Sequence, residues 1–362
     1  MRNVRKIVKR IPGSWTVYTF LRRCLWEVRA VFHAVRTGRV GTLLSRARLP
    51  VQRARRASDP AAVLDTGLYP PDARVTVMPV AGRTATSRAR AIGQLNAVGA
   101  APKLYDWVDL GARTAFVTAD DSPINTALVE RFRPDEPDVE VRRVLNGEAR
   151  SRLHFGREHL LRGRHLYQSV PGAGESGRRD TRRRWIRIRR ELAKAGIGIE
   201  DRLVLDVGCN SGMMLAEALE DGAAWGLGWD LPEIASIGRR LLDALGFTRF
   251  DLFGTQLSSG YRLGNDIPGR LHTRLDESIV LYLAIRHHVG FVADLAELPW
   301  RALVYEGGEL ETTAELEETL APLRAACDFK IVAAFDYRDG EGRSRPLAIL
   351  IRQSLPSTRL MA

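Results

Sequence analysis

The run from Arg202 to Asp230 constrains this chain more than any other: RLVLDV, then GCNSG, then MMLAEALEDG, then WGLGWD. An apolar run that stops at a glycine turn and resumes as an apolar helical stretch is a strand–turn–helix unit. A second short apolar run then closes it as strand–helix–strand. Pro232 opens the next helix at a favoured first-turn position. Further strand-like runs follow at 248–252, 279–285, 302–305, 330–335 and 347–352, with helical stretches between most of them. Apolar strands alternating with helices predict an α/β fold with a doubly wound, mostly parallel sheet. Ligands of such sheets bind at the carboxyl ends of the strands, near the point where strand order reverses. The glycine turn sits at such an end.

The turn's chemistry narrows the ligand. A dinucleotide fingerprint needs G-x-G-x-x-G, so that amides approach a pyrophosphate at a helix N-terminus. Here Gly208 and Gly212 enclose Cys209, Asn210 and Ser211, Met213 follows, and no Walker lysine is present. Asp206, just before the turn, would repel a pyrophosphate and attract a cationic amino-acid moiety. Asp230 ends the second strand, where it can accept hydrogen bonds from both hydroxyls of a ribose. An adenosine that carries an amino acid and no phosphate meets all of these conditions, and S-adenosylmethionine is such a compound. The alternative is a glycine-rich turn in some other α/β protein.

LVLDVGCNSG followed by GLGWD resembles the first two motifs of class I S-adenosylmethionine-dependent methyltransferases, over roughly Tyr167 to Arg352. The resemblance implies a seven-stranded sheet and a methyltransferase domain at 165–355. It also implies that the backbone at Gly208, Asn210 and Gly212 passes the methionine part, with Asp206 and Cys209 in the same motif. Asp230 would hold the ribose with Leu231 beside it, and Gly254, Thr255 and Gln256 would lie near the adenine. HLYQSVPG, the arginine-rich helix with Trp185, VYEGG and RPLAILIR are similar to one subgroup. It contains the O-antigen-capping sugar and phosphate methyltransferases and the tRNA wobble-uridine carboxymethyl enzymes. That resemblance implies cofactor contacts from Tyr167, Gln168 and Arg183; for Arg183 the alternative is a solvated helix face.

Methyl transfer needs an acceptor in line with the methyl group, and a base if the acceptor is a hydroxyl. The fourth strand, SIVLYLAI, ends in Arg286, His287 and His288. A histidine there lies beside the methyl donor, and its ordinary pKa of about 6.5 suits a general base at neutral pH. His288 matches the subgroup's strand-end histidine best, with His287 second. The alternative is that these histidines position a loop or bind substrate without moving protons. No carboxylate cluster at this strand end suggests metal-assisted transfer, and the Asn/Asp-Pro-Pro-aromatic motif of adenine N-methylation is missing. Arg286 can pair with an anionic acceptor or with a nearby acid. Glu306 can orient a histidine or a substrate hydroxyl, or be a structural strand-end carboxylate.

The rest of the chain is read from charge and punctuation. Net charge is +12, but residues 1–56 hold fifteen Arg/Lys against Glu27, a net of +14 that leaves the other 306 residues at −2. Residues 1–60 are therefore expected to be a basic extension. Within it Val17, Leu21, Cys24, Val28, Val31 and Val35 form an amphipathic stripe over 14–36, which fits an anionic membrane surface. The same stripe would equally dock on the domain behind it or on a second subunit. Proline-rich residues 50–72 read as a linker. Residues 70–150 read as an accessory α/β module; RAIGQLNAVGAAPKLYDWVDLGARTAFVT resembles part of a kinase-like small lobe. No glycine-rich phosphate loop, HRD-like loop or DFG accompanies it, so nothing is present to hold Mg–ATP.

Three scattered cysteines suit a reducing cytoplasm. No apolar run approaches the roughly 18 residues of a membrane span, and no secretory signal is expected. These readings converge on a cytoplasmic methyltransferase, peripheral at the inner face of the membrane, acting by metal-independent O-methylation. Its substrate would be a saccharide, envelope-glycan or natural-product intermediate, because the near-neutral core argues against a polynucleotide. One alternative is an RNA methyltransferase whose basic extension grips phosphates; another is a non-catalytic scaffold on the same fold.

Overall fold

The computed structural model describes residues 52, 54–80, 82–97, 99–119, 124–132, 137–145, 166–170, 177–308, 311–338 and 344–353. The amphipathic stretch 14–36 and the rest of residues 1–50 lie outside them, as does Cys24. Pro50–Ala362 forms one compact unit.

A small sheet comes first. Strands β1 (Arg55–Arg56), β2 (Arg74–Met78), β3 (Leu104–Asp109) and β4 (Thr114–Thr118) take the order β1-β3-β4-β2. Helix α1 (Gly82–Ala97) covers it with Ala85, Ala89, Ile92 and Leu95, spaced for a single helix face, against Met78, Leu104, Trp107 and Phe116. Helices α2 (Thr126–Arg131) and α3 (Pro137–Val144) follow. The stretch expected to be a linker is folded instead. It supplies β1 and a 3-10 turn at Ala61–Thr66, and it buries Val63, Leu68 and Tyr69. Its prolines mark turns between apolar anchors, and the anchors decide the structure.

Buried polar contacts join the small sheet to the C-terminal part of the unit. Tyr69 donates to Asp106 at 2.6 Å, and Arg249 lies 3.5 Å from the same carboxylate. Gln52 accepts from both the backbone N–H and the hydroxyl of Thr248, at 2.7 and 2.9 Å.

A short parallel pair, β5 (Leu166–Gln168) and β6 (Gly177–Arg179), leads into α4 (Thr181–Lys194). The main sheet then assembles from β7 (Leu203–Val207), β8 (Trp225–Asp230), β9 (Phe250–Gly254), β10 (Ile279–Leu283), β11 (Ala302–Glu306), β12 (Phe329–Arg338) and β13 (Ser344–Arg352). Helices α5 (Met213–Glu220), α6 (Pro232–Leu245), α7 (Arg286–Val289) and α8 (Leu316–Ala326) connect them. The order is β12-β13-β11-β10-β7-β8-β9, with β13 antiparallel to both neighbours. Strands buried on both faces explain the nearly continuous apolar runs. Val204 packs under one helical layer, while Leu203, Leu205 and Val207 pack under the other. This is the doubly wound, mostly parallel sheet expected from the sequence, and its strand order is that of a class I methyltransferase fold. Strand order reverses between β7 and β10, so the glycine turn after β7 opens at the switch point. Among the described residues no helix is long and apolar enough to cross a membrane.

Candidate active site

The turn after β7 is built from left-handed backbone. Gly208, Asn210 and Gly212 have φ of +78°, +51° and +76°, a region that glycine enters freely and asparagine tolerates. The N–H groups of Gly208 and Cys209 both donate to the Trp229 carbonyl, at 2.9 and 3.0 Å, which pins the turn to β8. A Cβ on Gly208 would lie 2.9 Å from Cδ1 of Ile285. Gly208 is therefore required by its φ and by the close approach of the segment after β10. That approach sets Ile285, the residue before α7 and its histidines, against the turn.

Asp230 is planted beside the turn. Its Oδ2 accepts from the N–H of Asn210 and its Oδ1 from the N–H of Leu231, each at 2.8 Å. Both oxygens keep further lone pairs for hydroxyl donors. Leu231 is 47% exposed, an apolar surface next to the carboxylate. The N–H of Thr255 donates to the Asp230 carbonyl at 2.8 Å, which brings the end of β9 alongside, with Gln256 exposed beyond it.

Asp206 is buried at the end of β7, and its Oδ2 has no hydrogen-bond partner. Burial pushes its carboxyl pKa up to about 7; the Arg184 guanidinium opposes the shift and the Asp230 charge adds to it. Cys209 lies within electrostatic reach of both Asp206 and Asp230. Its thiol is buried against β8, where a Cβ on Gly228 would meet the sulfur at 2.8 Å, and burial raises its pKa. Its side chain contributes packing.

The segment before the sheet closes over the turn. Buried Gln168 accepts from the Ser211 hydroxyl at 2.8 Å and from the Met213 N–H at 3.3 Å, so its amide oxygen straps the turn. Half-buried Tyr167 lies under the Arg179 guanidinium, 5.7 Å from its ring centroid. Arg183 is exposed on α4, its N–H donating to the capping Asp180 at 3.0 Å. The arginine that reaches inward is the next residue. Arg184 donates through Nε to Oε2 of Glu306 at 2.7 Å, with Nη2 2.6 Å from the same oxygen, and Tyr337 donates there as well. Glu306 is fully buried, and its Oε1 has no partner. Its described partners are thus an arginine and a tyrosine, and the expectation that it orients a histidine is replaced by this cluster. Arg184 and Tyr337 were not singled out in the sequence, although helical spacing from Trp185 and Ile188 puts Arg184 on the buried face.

Beyond β10, Ala284 takes a left-handed φ of +57° and redirects the chain into α7. His287 and His288 are exposed there with ring centroids 3.9 Å apart. A Cβ on Gly308 would lie 3.4 Å from Nδ1 of His287. Arg286 stands over the Phe291 ring and reaches Oε1 of Glu311 at 3.4 Å, while Tyr305 donates to Oε2 of Glu311 at 2.6 Å. Arg286 therefore has a nearby acid, Glu311, which no sequence pattern singled out.

No family model matches this chain, and no curated protein matches it. Among solved structures it is similar to magnesium protoporphyrin IX methyltransferase from Synechocystis PCC 6803 with bound SAM: 15% identity, 60% of this chain, 98% of that one, TM-score 0.36. It is also similar to WbdD, described as a bifunctional kinase-methyltransferase, in a complex with a kinase inhibitor: 19% identity, 54% of this chain, 47% of that one, TM-score 0.36. A third is a ribosomal protein L11 methylase from Lactobacillus delbrueckii subsp. bulgaricus: 20% identity, 45% of this chain, 76% of that one, TM-score 0.30. The chain thus spans about half the length of WbdD. At these values the case for a function is made by the side chains themselves.

Proposed function

We propose that this protein is an S-adenosylmethionine-dependent methyltransferase. The observation that carries the reading is the pairing of two carboxylates across the turn. Asp206 offers a buried oxygen with no protein partner, and Asp230 offers an anchored carboxylate beside exposed Leu231. An unpaired buried carboxylate is costly unless a ligand supplies its partner. A cationic amino-acid group supplies one, and a ribose with an apolar base matches Asp230 and Leu231. The same carboxylates disfavour a pyrophosphate. When bound, the cofactor supplies an electrophilic sulfonium methyl group.

The chain's own residues would do the rest. Gly208, Asn210 and Gly212 let the backbone approach closely, and Gln168 holds the turn shut. The contact of Ile285 with Gly208 keeps α7 at the mouth. We assign His288 as the base that takes a hydroxyl proton from the acceptor, with the tilted ring of His287 beside it. Arg286, balanced by Glu311, adds a cation for an acceptor that bears negative charge. The proposed reaction is metal-independent O-methylation of a saccharide, envelope-glycan or natural-product intermediate. The proposed setting is the cytoplasm, with the basic extension at the membrane. Labelled S-adenosylmethionine, incubated with fractionated lipid, glycan, RNA and protein, should mark the glycan or lipid-linked fraction; label in RNA would favour the tRNA-type alternative.

A further inference from the structure

Arg184, Glu306 and Asp206 form a buried set that the transfer step does not use. Asp206 is in register with Leu281 of β10, Leu281 with Val304 of β11, and Glu306 lies two residues beyond Val304. With a side-chain period of two, both carboxylates belong to the same sheet face. That face packs against α4, whose buried side includes Trp185, Ile188 and Leu192 together with Arg184. The guanidinium thus bonds one carboxylate and stands within electrostatic reach of the other. It contacts Glu306 directly, and it lies close enough to Asp206 to oppose the rise in its pKa. The other charged or titratable groups that face this set are Asp230, Arg179, Tyr167, Tyr337 and the Cys209 thiol. Glu306 wins the arginine, with the Tyr337 hydroxyl on the same oxygen. Asp206 is left with an oxygen that no protein donor reaches.

We infer that Glu306 is a positioning residue for the ligand's cationic amino-acid end: by holding Arg184, it keeps Asp206 free of a protein cation, so that the ligand supplies one. This rests on the cofactor reading above and deepens it. Glu306 acts through Arg184. Losing the Glu306 charge releases the guanidinium to neutralise Asp206, and removing both partners restores the original balance around Asp206.

The test is calorimetry on the full-length protein with two probes. S-adenosylhomocysteine carries the ammonium group, and methylthioadenosine has the same nucleoside without it. At pH 8.5, where Asp206 is ionised, Glu306→Gln should weaken S-adenosylhomocysteine by about tenfold, the equivalent of one pKa unit at Asp206, while methylthioadenosine stays within about twofold. The double variant Arg184→Met/Glu306→Gln should recover S-adenosylhomocysteine binding. Tyr337→Phe, which removes a single donor to Glu306, should shift the ratio of the two affinities in the same direction by a smaller factor, and it serves if Glu306→Gln fails to fold. Equal loss of both ligands, or a double variant as weak as the single one, would overturn the inference while leaving the cofactor reading intact. Wild-type protein that binds neither ligand would overturn both.

Discussion

Asp206 sets the pH behaviour expected of the site. Asp206 has its pKa raised to about 7 by burial, so in the free protein it is protonated at pH 6 and must ionise to hold a cation. Affinity for S-adenosylhomocysteine should therefore rise between pH 6 and pH 8, with proton release into the buffer, and Asp206→Asn should flatten the rise. A pH-independent affinity in the wild type would remove Asp206 from ligand recognition. The stability contribution runs the opposite way. A carboxyl whose folded pKa lies above its unfolded value stabilises the fold at low pH, and that contribution is lost as pH climbs through about 7. His288→Ala should lower turnover by roughly 10²–10⁴-fold, the usual worth of a general base, with cofactor affinity unchanged in a binding titration. A fully active variant would exclude the residue. Arg184 shows what was within reach of the sequence at this scale. Its spacing from Ile188 was legible, but charge made Arg183 and Arg184 look alike. Only the buried carboxylate contributed by distant Glu306 separates them.

At the scale of elements, the strands were the legible part. Continuous apolar runs announced β7 to β11, and the glycine turn fell where both φ and packing require it. The turn itself supports a stability prediction. Gly208→Ala would force a side chain into a left-handed φ and against Ile285, at a cost of about 1–3 kcal/mol. Chemical denaturation should detect it, together with weaker ligand binding because the turn is displaced; a neutral substitution would show that the contact yields. The proline-rich segment was misread for a physical reason. Proline and small basic residues advertise a spacer, whereas buried Tyr69 is received by Trp225 and Asp106, far away in sequence. Long-range partners of that kind leave no local pattern.

The whole molecule joins a small sheet to the main one through a buried acid, and places its positive charge at one end of the sequence. Asp106 stands between Tyr69 and Arg249, so Asp106→Ala would leave a buried guanidinium without its carboxylate. About 3–5 kcal/mol of stability should be lost, as is usual when one member of a buried pair is removed. An unchanged melting temperature would mean that this buried pair adds nothing to the hold between the two sheets. Because residues 1–56 carry a net +14, deleting residues 1–49 should abolish flotation with anionic liposomes and leave cofactor affinity unchanged. Flotation that survives the deletion would detach the extension from membrane binding. Loss of steeply salt-dependent RNA binding instead would favour the nucleic-acid alternative.

The proposed function requires the strand-end site around Asp206 and Asp230 to take an adenosyl amino acid. Titration of wild-type protein and Asp230→Ala with S-adenosylmethionine in a calorimeter tests it most directly. The expected result is one site per chain in the wild type and a loss of about 1–3 kcal/mol of binding energy in the variant, from hydrogen bonds to a charged acceptor. Absence of heat in the wild type, or equal affinity in the two proteins, would contradict it.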